Sequence, residues 1–158
     1  MRYTKGNKMN TTNKTRRQKS HVNSLSKSNK TYSHQNIVSM FLQMLNTVKL
    51  YHWKTTSYAE HKATDELYSK LNESIDTFVE TMLGKTGSRV NLTNTRSIPL
   101  LDYTDLNHFK KAVEIAKQFL INMGTDAILK SNTNTDLLNI RDEILGHLNQ
   151  FTYLLTFK

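Results

Sequence analysis

Cysteine is absent from this 158-residue chain. That excludes disulfides and every metal site built on thiolate, and leaves the redox compartment open. No apolar run approaches the roughly 18 residues that a membrane helix requires. The N-terminus is basic, but no apolar stretch follows it, so it does not read as a secretory signal. The one proline, Pro99, shares a segment with Gly84 and Gly87. Within that segment Lys85-Thr86 lies between glycines. A phosphate loop would need another glycine five residues before Gly84, where Val79 stands, and a strand rather than a helix ahead of it.

Acidic residues are also missing, but from one region. The first 32 residues contain no Asp or Glu, yet hold Arg2, Lys5, Lys8, Lys14, Arg16, Arg17, Lys19, Lys27 and Lys30. Their charge of +9 equals the net charge of the whole chain; the remaining 13 basic and 13 acidic residues cancel. This stretch is rich in Ser, Thr and Asn and too poor in large apolar groups to offset its ordering entropy. The expectation is a disordered basic arm over 1–32 and one folded domain over 33–158. Such an arm can neutralise the phosphates of DNA or RNA without reading base sequence. A solubilising tail, or an arm for acidic protein or membrane surfaces, fits the same composition.

What the remainder does contain is helical periodicity. Helix A spans about 35–54, with Val38, Phe41, Met44, Leu45 and Val48 on one face. Thr55-Thr56-Ser57 breaks it, and Ser57 with Glu60 has the form of a capping box opening helix B. Helix B carries Leu67, Leu71, Ile75, Phe78 and Met82, with Gly84 as its expected stop. Residues 84–103 form a long break, with Val90, Leu92, Ile98, Leu100 and Leu101 available to hold it down. Helix C (about 105–123) presents Phe109, Ala112, Val113, Ala116, Phe119 and Leu120, and Gly124 ends it. Helix D (about 135–156) presents Leu137, Ile140, Ile144, Leu148, Phe151 and Leu155. A short hairpin, a long crossover and a second helix pair predict an all-α, ferritin-like four-helix bundle with a long B–C crossover.

Helix B also carries a polar row: His61, Asp65, Asp76 and Glu80. At about 100° per residue the four fall within roughly a 100° arc, centred roughly 130° away from the apolar stripe. Asp65 and Asp76 lie about 16 Å apart along the axis at 1.5 Å per residue, too far to share one ion. Two readings remain. The groups are unrelated solvated residues, or a second helix supplies the missing ligands. A two-fold mate with helix B antiparallel would bring His61 and Asp65 of one copy to Asp76 and Glu80 of the other, twice per dimer. His52, just before the A–B turn, can approach His61. Mixed imidazole and carboxylate ligands suit Fe(II), and also Zn or Mn. Glu143 and His147 on helix D, with Glu114 on helix C, form a rival set. Helix A has no acidic residue and no Glu-x-x-His occurs, which argues against a di-iron centre within one chain.

The stretch from Met40 to Met82, MFLQMLNTVKLYHWKTTSYAEHKATDELYSKLNESIDTFVETM, resembles the mini-ferritins, the DNA-protecting proteins of starved cells. Members end the first helix in His-Trp, as at His52-Trp53 here. Their second helix carries a His, an Asp four residues on, and then Asp-x-x-x-Glu, as at His61, Asp65, Asp76 and Glu80. The resemblance implies an iron-binding protein that oxidises Fe(II) at a site shared across a two-fold interface. It implies His52, His61, Asp65, Asp76 and Glu80 as ligands, with Trp53 beside the site to intercept a damaging oxidant. It further implies a homodimer or larger shell and a nucleoid-associated, intracellular setting on DNA. The interval from His52 to His61 is shorter than is typical of mini-ferritins, so a tighter A–B turn is expected. The same stretch is similar to small ferritin-like proteins of large DNA viruses. That likeness points instead to a virion component, non-catalytic and nucleic-acid-binding or structural, on the same scaffold.

Overall fold

The computed structural model describes residues 32–126, 129 and 132–157. The arm residues from Arg2 to Lys30 lie outside the described residues. Four α-helices are present: α1 His34–Lys54, α2 Tyr58–Thr86, α3 Leu106–Met123 and α4 Thr135–Leu154, the last preceded by a 3-10 turn at Asn132–Asn134. Among the described residues there is no strand, and no helix is long and apolar enough to cross a membrane.

Helices α1, α2 and α3 each start at a residue whose side chain covers one of the free N–H groups. Ser33 accepts from the Asn36 N–H, Ser57 from the Glu60 N–H, and Asp105 from the His108 N–H. Helix α2 does not stop at Gly84. It runs one turn further and ends at Gly87, whose φ of 61° is the left-handed conformation that glycine adopts without steric cost. The end of α3 at Gly124 has a different cause. The Arg141 guanidinium from α4 donates to the Leu120 carbonyl, and a Cβ at Gly124 would lie 2.7 Å from its Nη1. A cation here also favours the negative end of the α3 dipole.

The apolar stripes expected for α1 and α2 are buried throughout. On α3 and α4 most are, with Ala112, Phe119, Ile140 and Leu155 only partly covered. Ile37, Tyr51 and Met123 join the core as well. The helix backbones pack in the order α1–α2–α4–α3–α1, with the diagonal pairs set further apart. Directions follow from which residues meet. Phe41 packs on Phe78, Lys85 binds Asp136, Phe109 packs on Phe151, and Tyr51 stacks on Phe109, so every neighbouring pair is antiparallel. Helices α2 and α3 are therefore parallel, and their connection has to travel the length of the bundle. It does so beside α1. Residues 88–91 lie against 32–35, the Pro99 carbonyl accepts from Gln43, and Asp102 binds the Lys54 ammonium. This is the long crossover expected of a ferritin-like bundle. Of the residues expected to hold it down, Leu92 packs on the core and Leu101 closes an apolar cleft of about 40 Å³ between α1 and α3. Val90 and Leu100 are exposed, because the segment is anchored by polar contacts at Pro99 and Asp102 instead.

Tyr32, the last residue assigned to the arm, packs edge-on against Phe119 and donates its backbone N–H to Asp126.

Candidate metal centre

The A–B turn is built on Glu60. In a full capping box its carboxylate would return to the Ser57 N–H. Instead Glu60 Oε2 accepts from the Tyr51 hydroxyl at 2.7 Å and the Thr55 hydroxyl at 2.6 Å, while Thr55 Oγ1 accepts the Ser57 N–H. Ser57 performs its half of the box, and Thr55 substitutes for the other half. The Tyr51 ring stacks on Phe109 at 4.0 Å. Burial, reinforced by its bond to Glu60, pushes the Tyr51 hydroxyl well above its ordinary pKa, so it stays a donor. These contacts join the last turn of α1 to the first turn of α2.

One residue beyond Tyr51 and one beyond Glu60 stand His52 and His61. Their rings stack with centroids 3.9 Å apart. His52 Nδ1 lies 3.1 Å from the His61 carbonyl oxygen, and His61 Nδ1 lies 3.0 Å from the His52 carbonyl oxygen. A carbonyl oxygen can only accept, so both Nδ1 atoms carry hydrogen. The bonds are reciprocal, and each imidazole is left with its Nε2 as the coordinating atom. Thr64 adds a second acceptor. Its hydroxyl donates to the Glu60 carbonyl at 2.7 Å, leaving oxygen lone pairs 3.2 Å from His52 Nδ1. A ligating histidine is ordinarily held in this way, with its other ring nitrogen donating to a carbonyl.

His52 Nε2 faces Asp65 Oδ1 across 3.8 Å. That is too long for a hydrogen bond. It is short enough for one cation to touch both, since metal–nitrogen and metal–oxygen bonds are each about 2.0–2.2 Å. The tighter turn therefore does not remove His52 from the group. It buries the ring to 7% exposure and points it at Asp65.

The rest of the row stands apart. Asp76 and Glu80 are exposed, further along α2. Among the described residues of one chain, no three histidine or acidic side chains come together so as to hold a metal ion. Trp53 is 68% exposed, with the Lys49 ammonium 5.7 Å from its ring centroid. The rival set is not assembled. Glu114 is bound to Lys117, while His147 lies 3.6 Å from Glu143 and 3.2 Å from the buried Ser74 hydroxyl in the α2–α4 seam.

Tyr51, Glu60 and Thr64 are the residues that the sequence pattern did not single out for the site. The only signal for Glu60 is its spacing from Ser57, and that suggests a different partner. Thr64 has none, because its role depends on two carbonyls and an imidazole brought in by the turn.

The chain belongs to DUF5856, a family of unknown function, whose model matches residues 52–155. That span includes His52, His61, Asp65, Asp76 and Glu80 and leaves out the arm. No curated protein and no solved structure matches the chain.

Proposed function

We propose that this chain is a ferritin-like subunit of mini-ferritin type that binds Fe(II) between two copies of itself, oxidises it, and associates with DNA or RNA through its basic arm. Iron is the substrate in this reading; Zn or Mn would suit the same donors. One copy supplies His52, His61 and Asp65, and an antiparallel α2 of its mate supplies Asp76 and Glu80. Oxygen or peroxide takes the electrons from Fe(II).

The observation that carries the reading is the reciprocal pair of Nδ1–H bonds to backbone carbonyls. Two imidazoles with fixed tautomers and free Nε2 atoms, beside a half-exposed carboxylate, form a preorganised half-site. Charge supports the shared arrangement. Helix α2 holds six acidic residues against three lysines, so two copies side by side repel unless cations lie between them. Association of the chains is accordingly expected to depend on metal.

The second reading is a non-catalytic nucleic-acid-binding or virion structural protein on the same scaffold. Mixed dimers distinguish the two. A His61→Ala chain and a Glu80→Ala chain should each oxidise Fe(II) poorly as homodimers. Mixed, they form dimers with one site doubly altered and the other intact, so activity should recover toward half in the mixed species. No recovery in folded, mixed dimers, or unchanged kinetics in the Glu80→Ala homodimer, would overturn the shared site.

A further inference from the structure

Charge in the bundle is divided by side. Helix α1 contains no Asp or Glu, and neither does the crossover before Asp102. Together α1, residues 87–105 and α3 carry seven Lys and Arg against three Asp and Glu, a net +4. Helices α2 and α4 carry four against nine, a net −5. Because the helices touch in the order α1–α2–α4–α3, these two sets are opposite sides of the molecule. A near-neutral body is thus a strong dipole.

The three acidic groups on the positive side are engaged within the fold. Asp102 binds Lys54, Glu114 binds Lys117, and Asp105 caps α3. Arg89, Arg96 and Lys111 are exposed and Lys110 is half-buried; among the described residues none of the four is in an ion pair. They are spread along the side. Arg89 sits beside the start of α1, and Lys110 and Lys111 lie in the first turns of α3, near the other end of α1. The 21 residues of α1 set that length at about 30 Å, close to one turn of duplex. The crossover between them is Asn-, Thr- and Ser-rich from Ser88 to Ser97, and these side chains hydrogen-bond phosphate oxygens.

We infer that the α1–crossover–α3 side is a docking surface for the phosphate backbone of double-stranded DNA, engaged by Arg89, Arg96, Lys110 and Lys111. The partner is identified by charge: a polyanion is drawn to this side and repelled by the α2–α4 side. Docking therefore leaves the α2 row open to metal and to a second copy. The contacts are to phosphates, so binding is independent of base sequence. The inference rests on the proposed function for the choice of nucleic acid as polyanion, and it adds residues of the folded domain to those of the arm.

The test uses the full chain and a random-sequence DNA duplex, with the affinity measured as a function of salt. Each lost phosphate contact lowers the slope of log affinity against log salt by about 0.9. Arg89→Gln/Arg96→Gln should therefore lower it by nearly 2. A charge-matched control on the opposite side, Lys62→Gln/Lys70→Gln, should leave it unchanged. Circular dichroism melting checks that both variants are folded. An unchanged slope in the arginine variant, or an equal fall in both, overturns the surface while leaving the arm as the DNA contact. A wild-type chain that does not bind DNA at all overturns the surface together with the DNA part of the proposed function, and leaves iron oxidation standing.

Discussion

The two ends of the polar row on α2 are built differently. At the His61 end, the His52 and His61 rings are held by two backbone carbonyls and Thr64, next to the Tyr51–Glu60–Thr55 network, while Asp65 is exposed and 3.8 Å from His52. At the other end Asp76 and Glu80 are exposed to solvent. The difference matches what imidazole and carboxylate would each need as ligands in the proposed site. An imidazole has one coordinating lone pair, in the ring plane, and is useful only if its other nitrogen is fixed. A carboxylate offers two oxygens and several directions, so it can be oriented late by the ion and the arriving mate. In the proposed function, the two imidazoles are oriented within one chain, and the carboxylates would be oriented on assembly.

The largest way to break this comparison is to remove the two oriented imidazoles. His52→Ala/His61→Ala should abolish measurable Co(II) or Fe(II) binding in calorimetry while the bundle stays helical by circular dichroism. Asp76→Asn/Glu80→Gln should instead leave weak binding by the monomer and abolish metal-dependent dimerisation in sedimentation. Equal loss of metal binding in both variants would erase the distinction between the ends.

The supporting network comes next. Glu60→Ala leaves the buried Tyr51 hydroxyl and the half-buried Thr55 hydroxyl without their acceptor, at a cost of about 1–3 kcal/mol, visible as a lower midpoint in urea. It should also weaken Co(II) binding, and Glu60→Gln should restore part of both, because the amide oxygen can still accept. Thr64→Val takes away one of two acceptors for His52 Nδ1 and leaves the carbonyl. Metal affinity should fall by about tenfold, at the low end of what loss of an outer hydrogen bond costs, with the fold intact.

The smallest effect is from acid, and it spares neither end. Asp136 is held below the ordinary carboxylate range, first by its bond to Lys85, and Asp105 likewise, first by the His108 backbone N–H. Glu66 is lowered by Lys70. A depressed carboxylate contributes stability above its unfolded pKa, and loses it as pH falls through the lower folded value. The urea midpoint should therefore hold at neutral pH and decline below the ordinary carboxylate range. Asp136→Asn should reduce that decline.

Much of the fold was legible because apolar spacing is a local property. Leu67, Leu71, Ile75, Phe78 and Met82 lie on one face of any helix they form, whatever packs against it. The end of α2 was less legible. Gly84 and Gly87 are both helix breakers by composition, and only the left-handed backbone at Gly87 selects between them. The capping box was half legible. Ser57 and Glu60 have the right spacing, but the sequence does not show that Tyr51 and Thr55 would take the Glu60 carboxylate.

The sequence by itself determined four amphipathic helices, the long crossover and the separation of the polar row into two distant pairs. Each follows from residue spacing and helix rise. Only the tertiary structure decided that His52 reaches the row, because its distance from His61 depends on how the Thr55–Ser57 turn folds back. It also decided which ring nitrogens are free, since that depends on carbonyls presented across the turn. The sidedness of charge has the same origin. The acid-free stretches in α1 and the crossover are far apart in the chain, and become one surface because the crossover lies along α1.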